Sequence, residues 1–208
     1  MSLSSISENP FLIVISAPSG GGKSTVLERV LSDFPNMQYS ISSTTRKPRG
    51  DEKHGVDYFF LEKEEFEAKI AENEFLEYAN VFGNYYGTSH KFIQACFDQE
   101  QYVIMDIDVQ GCLKLAETDC PMIKIFLLPP DAQELEFRLR NRGTDSNEVI
   151  EKRLATAREE LEYIKHYDYL VVNDDLEKAV CAVKQIISAE MHRITRYNDI
   201  YHSFYNKV

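Results

Sequence analysis

The stretch that decides the fold is FLIVIS at residues 11–16, followed directly by APSGGGKST at residues 17–25. Residues 11–16 predict a buried strand, because they are apolar and rich in β-branched side chains. The glycines predict a tight turn, and a helix is expected to begin near Lys23. A strand, a glycine-rich loop and a helix in this order predict that main-chain N–H groups surround a phosphate.

The polar side chains of this loop predict an ATP site with a metal ion. Lys23 is expected to reach the β- and γ-phosphates, and the Ser24 hydroxyl is expected to contact Mg²⁺. The usual pattern opens with glycine, whereas Ala17 stands there in this chain. The alternative is a flexible turn that begins a helix without binding a ligand. The order of strand, loop and helix favours the phosphate site.

Length and composition predict an ordinary globular protein. The chain has 208 residues, of which 43% are hydrophobic and 27% charged, enough for one core and a small subdomain.

The net charge of −11 argues against nucleic acid as a partner, although a few local cations can still hold a small anion. No apolar run is long enough to cross a membrane, and the first ten residues do not resemble a secretory signal. Four cysteines without a CxxC pair indicate reduced thiols, and the predicted location is the cytoplasm.

Alternating apolar and amphipathic segments predict the architecture. Further strands are expected at Tyr102–Asp108, Ile123–Leu128 and Tyr169–Val172, with helical patterns between them. This alternation is typical of an α/β fold, here a P-loop NTPase-type parallel sheet flanked by helices.

Two segments depart from the alternating pattern. Residues 39–88 contain short strand-like segments around a charged helix and predict a small α+β insertion on the core. The core is then formed by residues 1–38 and 89–208. A polar break at Asn141–Asn147 separates two arginine-bearing helices and predicts a helical lid at about residues 138–158.

The insertion contains residues suited to a second anionic substrate. Arg46 and Arg49 can converge on one phosphate, although a solvated basic turn is the alternative for this stretch. Later segments provide tyrosine and threonine hydroxyls and the carboxylate of Glu77, which can fix a phosphate and read a purine edge. For Glu77 alone, a surface carboxylate is the commoner explanation. Asp106 and Asp108 end an apolar strand near the loop, where ligands collect in parallel sheets, and a helix N-cap is the alternative role for Asp108.

Taken in order, these motifs resemble the guanylate kinase family. The matching segments run from about Phe11 to about Glu190, and family members commonly carry alanine at the first loop position. The segments are APSGGGKST, SSTTRKPRG, GVDYFF, FLEYANVFGNYYGT, DIDVQG, RLRNRGTDS with EKRL, and VVNDD.

The resemblance implies that the γ-phosphoryl group of ATP passes directly to GMP, and to dGMP, with Mg²⁺ as cofactor. The implied ATP-binding residues are Ala17, Pro18, Ser19, Gly20, Gly21, Gly22, Lys23, Ser24, Thr25 and Asn173. The implied GMP-binding residues are Ser42, Arg46, Arg49, Tyr58, Glu77, Tyr86, Thr88 and Asp108. The implied catalytic residues are Lys23, Arg46, Arg138, Arg142 and Arg153. The metal is assigned to Ser24 and, through water, to Asp106.

Two other functions stay open at this point. One is a kinase for AMP, UMP or CMP. The other is a non-catalytic guanylate-kinase-like domain that binds phosphopeptides within a scaffold protein. The expected partners are ATP and GMP, with neither nucleic acid nor membrane, and the sequence does not choose between a monomer and a homo-oligomer.

Overall fold

The computed structural model describes residues 9–81, 83–141, 147–197 and 200. The strands are β1 (Leu12–Ser16), β2 (Met37–Tyr39), β3 (Ser43–Thr44), β4 (Phe59–Phe60), β5 (Phe75–Val81), β6 (Asn84–Ser89), β7 (Tyr102–Asp106), β8 (Met122–Leu128) and β9 (Tyr169–Val172). The α-helices are α1 (Lys23–Leu31), α2 (Lys63–Ala71), α3 (His90–Phe97), α4 (Val109–Leu115), α5 (Ala132–Asn141), α6 (Asn147–Leu161) and α7 (Leu176–Met191). Two 3₁₀ turns occupy Ile164–His166 and Ile194–Arg196.

A parallel sheet forms the core, in the order β2-β7-β1-β8-β9. Every residue of the central strand β1 is buried, because helices cover both faces of the sheet. Ile13 and Ile15 pack on one face with side chains of α1 and α7, while Leu12 and Val14 pack on the other with side chains of α3 and α4. This arrangement confirms the predicted parallel α/β fold.

A smaller sheet, in the order β4-β3-β6-β5, is inserted between β2 and α3. β6 runs antiparallel to β3 and β5. α2 packs on this sheet through Phe66, whose ring stacks on Phe75 and Tyr85 at centroid distances of 4.4 and 5.3 Å. A Cβ atom on Gly87 would lie 2.9 Å from the Phe75 ring, so a glycine is required beneath this stack. The second sheet therefore has an aromatic core of its own.

The carboxyl ends of β1 and β7 meet at one edge of the core sheet. Ile15 of β1 is in register with Asp106 of β7. The glycine-rich loop follows β1 directly, and Asp108 follows β7. The parallel register therefore brings the loop and two carboxylates to the same edge.

A buried carboxylate holds the end of the described chain against the core. Glu190, at 4% exposure, accepts hydrogen bonds from the Tyr169 hydroxyl and from Arg196, the latter at 3.2 Å. The Arg196 guanidinium lies 4.2 Å from the centroid of the Phe11 ring. These contacts join the last 3₁₀ turn to β9 and to the start of β1. Within the described ranges, no helix has the length and apolar character needed to span a bilayer.

Candidate active site

The loop between β1 and α1 forms an open cradle of backbone N–H groups. Gly22, with φ of +90°, begins α1 without a side-chain cap, so the first amides of the helix are left for a ligand. A Cβ atom on Gly22 would lie 2.4 Å from Nδ2 of Asn173, and one on Gly21 would lie 2.7 Å from Cβ of Ala17. The local packing, as well as the approach of a phosphate, therefore requires glycines here.

The Lys23 side chain lies across the loop. Its Nζ donates a hydrogen bond to the carbonyl oxygen of Ala17 at 3.1 Å, and the residue lines the adjoining cavity. Ser24 and Thr25 follow in the first turn of α1 and are exposed. An ammonium group at the mouth of an amide cradle suits a polyphosphate.

A cavity of about 490 Å³ extends from this loop to the second sheet. It brings together loop residues, side chains of the insertion, the carboxylates after β7 and one face of α6. The predicted site residues that line it are Ala17, Ser19, Lys23, Ser42, Arg49, Tyr58, Glu77, Tyr86, Asp106, Asp108 and Arg153. Parts of the chain that are distant in sequence thus share one space.

Glu77 forms a buried acceptor in this cavity. Its side chain is 7% exposed, and its Oε1 accepts a hydrogen bond from the fully buried Thr88 hydroxyl at 2.7 Å. Burial raises the pKa of Glu77 to about 7, an effect that the Thr88 hydrogen bond opposes. Oε2 faces Gly111, where an added Cβ would lie 3.3 Å away. The two carboxylate oxygens of Glu77 can accept adjacent N–H donors from a planar ligand.

Arg46 and Arg49, the clamp arginines predicted to converge on one phosphate, have different environments. Arg49 lines the cavity, whereas Arg46 lies behind it at 8% exposure. Glu52 accepts hydrogen bonds from both terminal nitrogens of Arg46, each at 2.9 Å. The Arg46 guanidinium also lies 5.2 Å from the Tyr58 ring centroid and 5.8 Å from that of Phe60. The Arg46 Nε is buried and has no hydrogen-bond partner among the described residues.

The two carboxylates after β7 are held by different contacts. Asp106 Oδ1 accepts a hydrogen bond from the Tyr39 hydroxyl at 2.6 Å, and burial, reinforced by Asp106, raises the pKa of Tyr39. Asp108 Oδ1 accepts from the Gly111 backbone N–H at 2.8 Å and forms the N-cap of α4. Asp108 therefore has the N-cap role considered as its alternative, although it also lines the cavity.

The predicted lid arginines lie on α5 and α6. Arg153 of α6 donates to the Ser19 hydroxyl at 3.4 Å, which places it beside the loop. Arg138 of α5 donates to Glu134 at 2.7 Å and to the carbonyl oxygen of Asn173 at 3.0 Å. The predicted catalytic Arg142 lies outside the described residues.

The side chain of Asn173, a predicted ATP-binding residue, contacts the loop that would hold the phosphates. It is 5% exposed and its Nδ2 donates to the Gly21 carbonyl oxygen at 2.9 Å. The contact connects the end of β9 to the cradle.

Three polar residues with contacts or pKa shifts at the site are absent from the predicted site residues. They are Tyr39, Glu52 and Glu160. Glu160 lines the cavity, and burial raises its pKa to about 7, an effect that Lys23 opposes. Its spacing of seven from Arg153 places both on one face of α6, a helical signal present in the sequence. The contacts of Tyr39 and Glu52 depend on the tertiary fold or on an irregular turn, so periodicity does not reveal them.

The family model described as guanylate kinase matches residues 9–190, which is most of the chain. The chain belongs to the guanylate kinase family. A guanylate kinase from Caldanaerobacter subterraneus subsp. tengcongensis is 44% identical over 197 residues, covering 95% of this chain and 96% of that protein. One from Clostridium tetani is 47% identical over 192 residues, covering 92% of each.

A solved structure agrees with this assignment. The crystal structure of guanylate kinase from Anaplasma phagocytophilum superposes with a TM-score of 0.80 at 32% identity, covering 94% of this chain and 93% of that one. Transfer of a phosphoryl group from ATP to GMP is the reaction of the guanylate kinase family, and the chain is a nucleoside monophosphate kinase.

Proposed function

We propose that this protein transfers the γ-phosphoryl group of ATP to GMP, in the cytoplasm, within the cavity of about 490 Å³. The observation that carries the proposal is the composition of that cavity. Lys23 of the loop, Glu77 of the second sheet and Arg153 of α6 all line it. One space thus contains a polyphosphate cradle, an acceptor for a base and a cation beside the loop.

On the ATP side, we assign the phosphates to residues 17–25. The uncapped start of α1 offers backbone N–H groups, and Lys23 adds a positive charge at the mouth of the loop. Asn173 supports this site by holding the Gly21 carbonyl oxygen. We also propose that Asn173 contacts the adenine.

On the GMP side, we assign the phosphate to Arg46, Arg49, Tyr58 and Tyr86, and the base to Ser42, Glu77, Thr88 and Asp108. An ionised Glu77 accepts the N1–H and 2-amino donors of guanine. Adenine has no proton on N1 and leaves the buried carboxylate without that donor, which disfavours AMP by the cost of an unpaired buried charge.

The residues near the loop fit Mg²⁺, which prefers oxygen ligands and keeps several waters when it binds nucleotide phosphates. Ser24 would hold the ion directly, and Asp106, which lines the cavity, would hold it through water. The ion would neutralise charge on the β- and γ-phosphates.

The transfer itself needs no covalent intermediate with the protein. A phosphate oxygen of GMP attacks the γ-phosphorus in line, and the bond to the β-phosphate oxygen breaks. Lys23, Arg138, Arg142 and Arg153 are proposed to balance the charge on the moving group. The protein thus contributes orientation and electrostatic stabilisation.

We further propose that residues 39–88 act as the GMP-binding unit and residues 138–158 as a lid over the core. The second sheet has its own aromatic core, and α6 presents one face to the cavity. Closure of both units over the loop would exclude water, so that ATP is not hydrolysed.

The decisive experiment is a coupled assay of ADP release with GMP, dGMP, AMP, UMP and CMP as acceptors. We expect turnover with GMP and dGMP to exceed the others by at least about 10³-fold, because the other bases lack the adjacent N1–H and 2-amino donors that guanine offers to Glu77. A preference for another monophosphate would overturn the substrate assignment. Phosphopeptide binding without any turnover would favour the scaffold function.

A further inference from the structure

Glu52 contacts both predicted clamp arginines. Its two carboxylate oxygens accept hydrogen bonds from the two terminal nitrogens of Arg46, each at 2.9 Å. Oε2 also accepts from the backbone N–H of Arg49 at 2.8 Å. A single side chain therefore fixes the guanidinium of one arginine and the backbone of the other.

The Arg46–Glu52 pair is more than a surface ion pair. The Arg46 side chain is 9% exposed and that of Glu52 25% exposed, so solvent screens the pair only in part. The Tyr58 and Phe60 rings lie beside the guanidinium, which restricts its rotation. Arg46 lowers the pKa of Glu52, so the carboxylate is charged at neutral pH.

Three of the five N–H donors of Arg46 are occupied by protein acceptors. Glu52 accepts one N–H from each terminal nitrogen of Arg46. The carbonyl oxygen of Lys47 accepts the second N–H of Nη1, at a distance of 2.7 Å. The Arg46 Nε remains buried and unpartnered among the described residues. A bidentate carboxylate fixes the plane of the guanidinium and hence the directions of the two remaining donors, the Nε–H and the second N–H of the other terminal nitrogen.

We propose that Glu52 is a positioning residue for phosphoryl transfer, which holds Arg46 and the backbone of Arg49 in the geometry that receives the GMP phosphate. This inference rests on the proposed function of the same site. Glu52 itself does not line the cavity, so it acts through the arginines. Because two arginines and one glutamate leave a net positive charge, the clamp still attracts a phosphate.

The change in the KM for GMP when Glu52 is removed distinguishes positioning from competition with the phosphate. If the carboxylate competed with the phosphate for Arg46, its removal would free the arginine and lower the KM for GMP. If it positions the arginines, its removal leaves Arg46 mobile and raises that KM.

The test compares the full-length wild-type enzyme with E52Q, E52A, E52D and the control D51N. Asp51 is the exposed neighbour of Glu52. D51N therefore removes one negative charge next to Glu52 and leaves the Arg46–Glu52 pair in place. We expect the KM for GMP to rise about 10- to 100-fold in E52Q and E52A, the size of one or two lost charged hydrogen bonds. E52D should lie between these and wild type. The KM for ATP and the melting temperature of E52Q should stay near wild type.

A double-mutant cycle separates positioning from a general charge effect. The KM for GMP of R46A/E52A should be clearly below the value expected from multiplying the two single effects, because Glu52 acts in part through Arg46 and only its contact with the Arg49 backbone is left to lose in R46A. Additive losses, a lower KM for GMP in E52Q, or equal changes in both KM values would overturn the inference. Wild-type enzyme without GMP turnover would instead overturn the proposed function.

Discussion

The side-chain amide of Asn173 donates a hydrogen bond to the backbone carbonyl of Gly21 at 2.9 Å, connecting the end of the edge strand β9 to the phosphate-binding loop. The same nitrogen lies 2.4 Å from the position of a Cβ atom on Gly22. The conformation of the loop therefore depends on a residue about 150 positions away in the sequence.

The first prediction follows from this contact. N173A should raise the KM for ATP by about 10-fold, because the Gly21 carbonyl loses a buried partner and the loop is held less firmly. The KM for GMP should change by less than about twofold. Steady-state kinetics with each substrate varied in turn measures both values.

Asn36 provides a matched control for N173A. Its amide also donates to a backbone carbonyl, that of Glu100, but at the opposite end of the sheet and in an exposed position. N36A should leave both KM values near wild type. Equal losses in N36A and N173A would show that the ATP effect reflects stability alone.

The second prediction concerns pH. Because burial raises the pKa of Glu77 to about 7, the ionised form that accepts guanine is lost as the pH falls below about 7. The value of kcat/KM for GMP should therefore decrease up to tenfold per pH unit on the acid side. The phosphate of GMP titrates near pH 6 as well, so the profile of E77Q serves as the reference. Identical acid limbs in E77Q and wild type would contradict the prediction.

The third prediction concerns stability. The folded-state pKa of Glu77 lies above its ordinary value of 4.5, so the folded protein binds this proton more tightly than the unfolded chain. The contribution of Glu77 to stability is therefore full below about pH 4.5 and declines as the pH rises to about 7. E77Q removes the free-energy cost of burying the ionised carboxylate, which is about 3 kcal/mol for this shift, and its melting temperature at pH 8 should be roughly 6–12 °C higher than wild type. At pH 4 the difference should vanish, and calorimetry at the two pH values tests this.

The fourth prediction concerns Lys23. K23A should lower kcat by at least about 10³-fold, because the charge that stabilises the moving phosphoryl group is lost. GMP binding, measured by calorimetry, should stay near wild type, since Glu77 lies on β5 and Arg46 and Arg49 lie in the connection between β3 and β4, outside the phosphate-binding loop. A K23A enzyme with normal turnover would remove this lysine from the mechanism.

The fifth prediction concerns Arg153, which lies beside Ser19 of the loop. R153A should lower kcat by about 10³-fold with a small change in the KM for GMP, as expected for a contact made chiefly in the transition state. Arg158 lies on the same helix but does not line the cavity, so R158A is the control and should retain near-wild-type kcat.

Local patterns predict the core of this fold well, since the pattern of apolar residues fixes both element type and face. Residues 11–16 read as a strand because buried parallel strands are apolar throughout, and β1 has this environment. The hairpin of β5 and β6 was not predicted as strands. Its sequences mix polar and aromatic residues, because the hairpin packs on α2 through Phe75 and Tyr85 and faces the cavity through Glu77 and Tyr86.

The candidate site could be predicted where residue type alone carries chemistry, as for Lys23 and the glycines. The contacts that hold these site residues in place could not be predicted from the sequence. Nothing in the spacing of Glu52 indicates that it binds Arg46 through both oxygens, and nothing in the segment around Tyr39 indicates the hydrogen bond to Asp106. Such pairs arise from turns and from strands that meet only in three dimensions, so no local period records them.

The buried carboxylate of Glu190 has a practical consequence for shortened versions of this protein. The family match ends at residue 190, which makes that position a natural place to cut the gene. Such a truncation would remove Arg193 and Arg196 and leave Glu190 with the Tyr169 hydroxyl as its remaining described partner. It would also uncover the Phe11 ring at the start of β1. Expression plasmids should therefore extend at least through Tyr197 to preserve the fold.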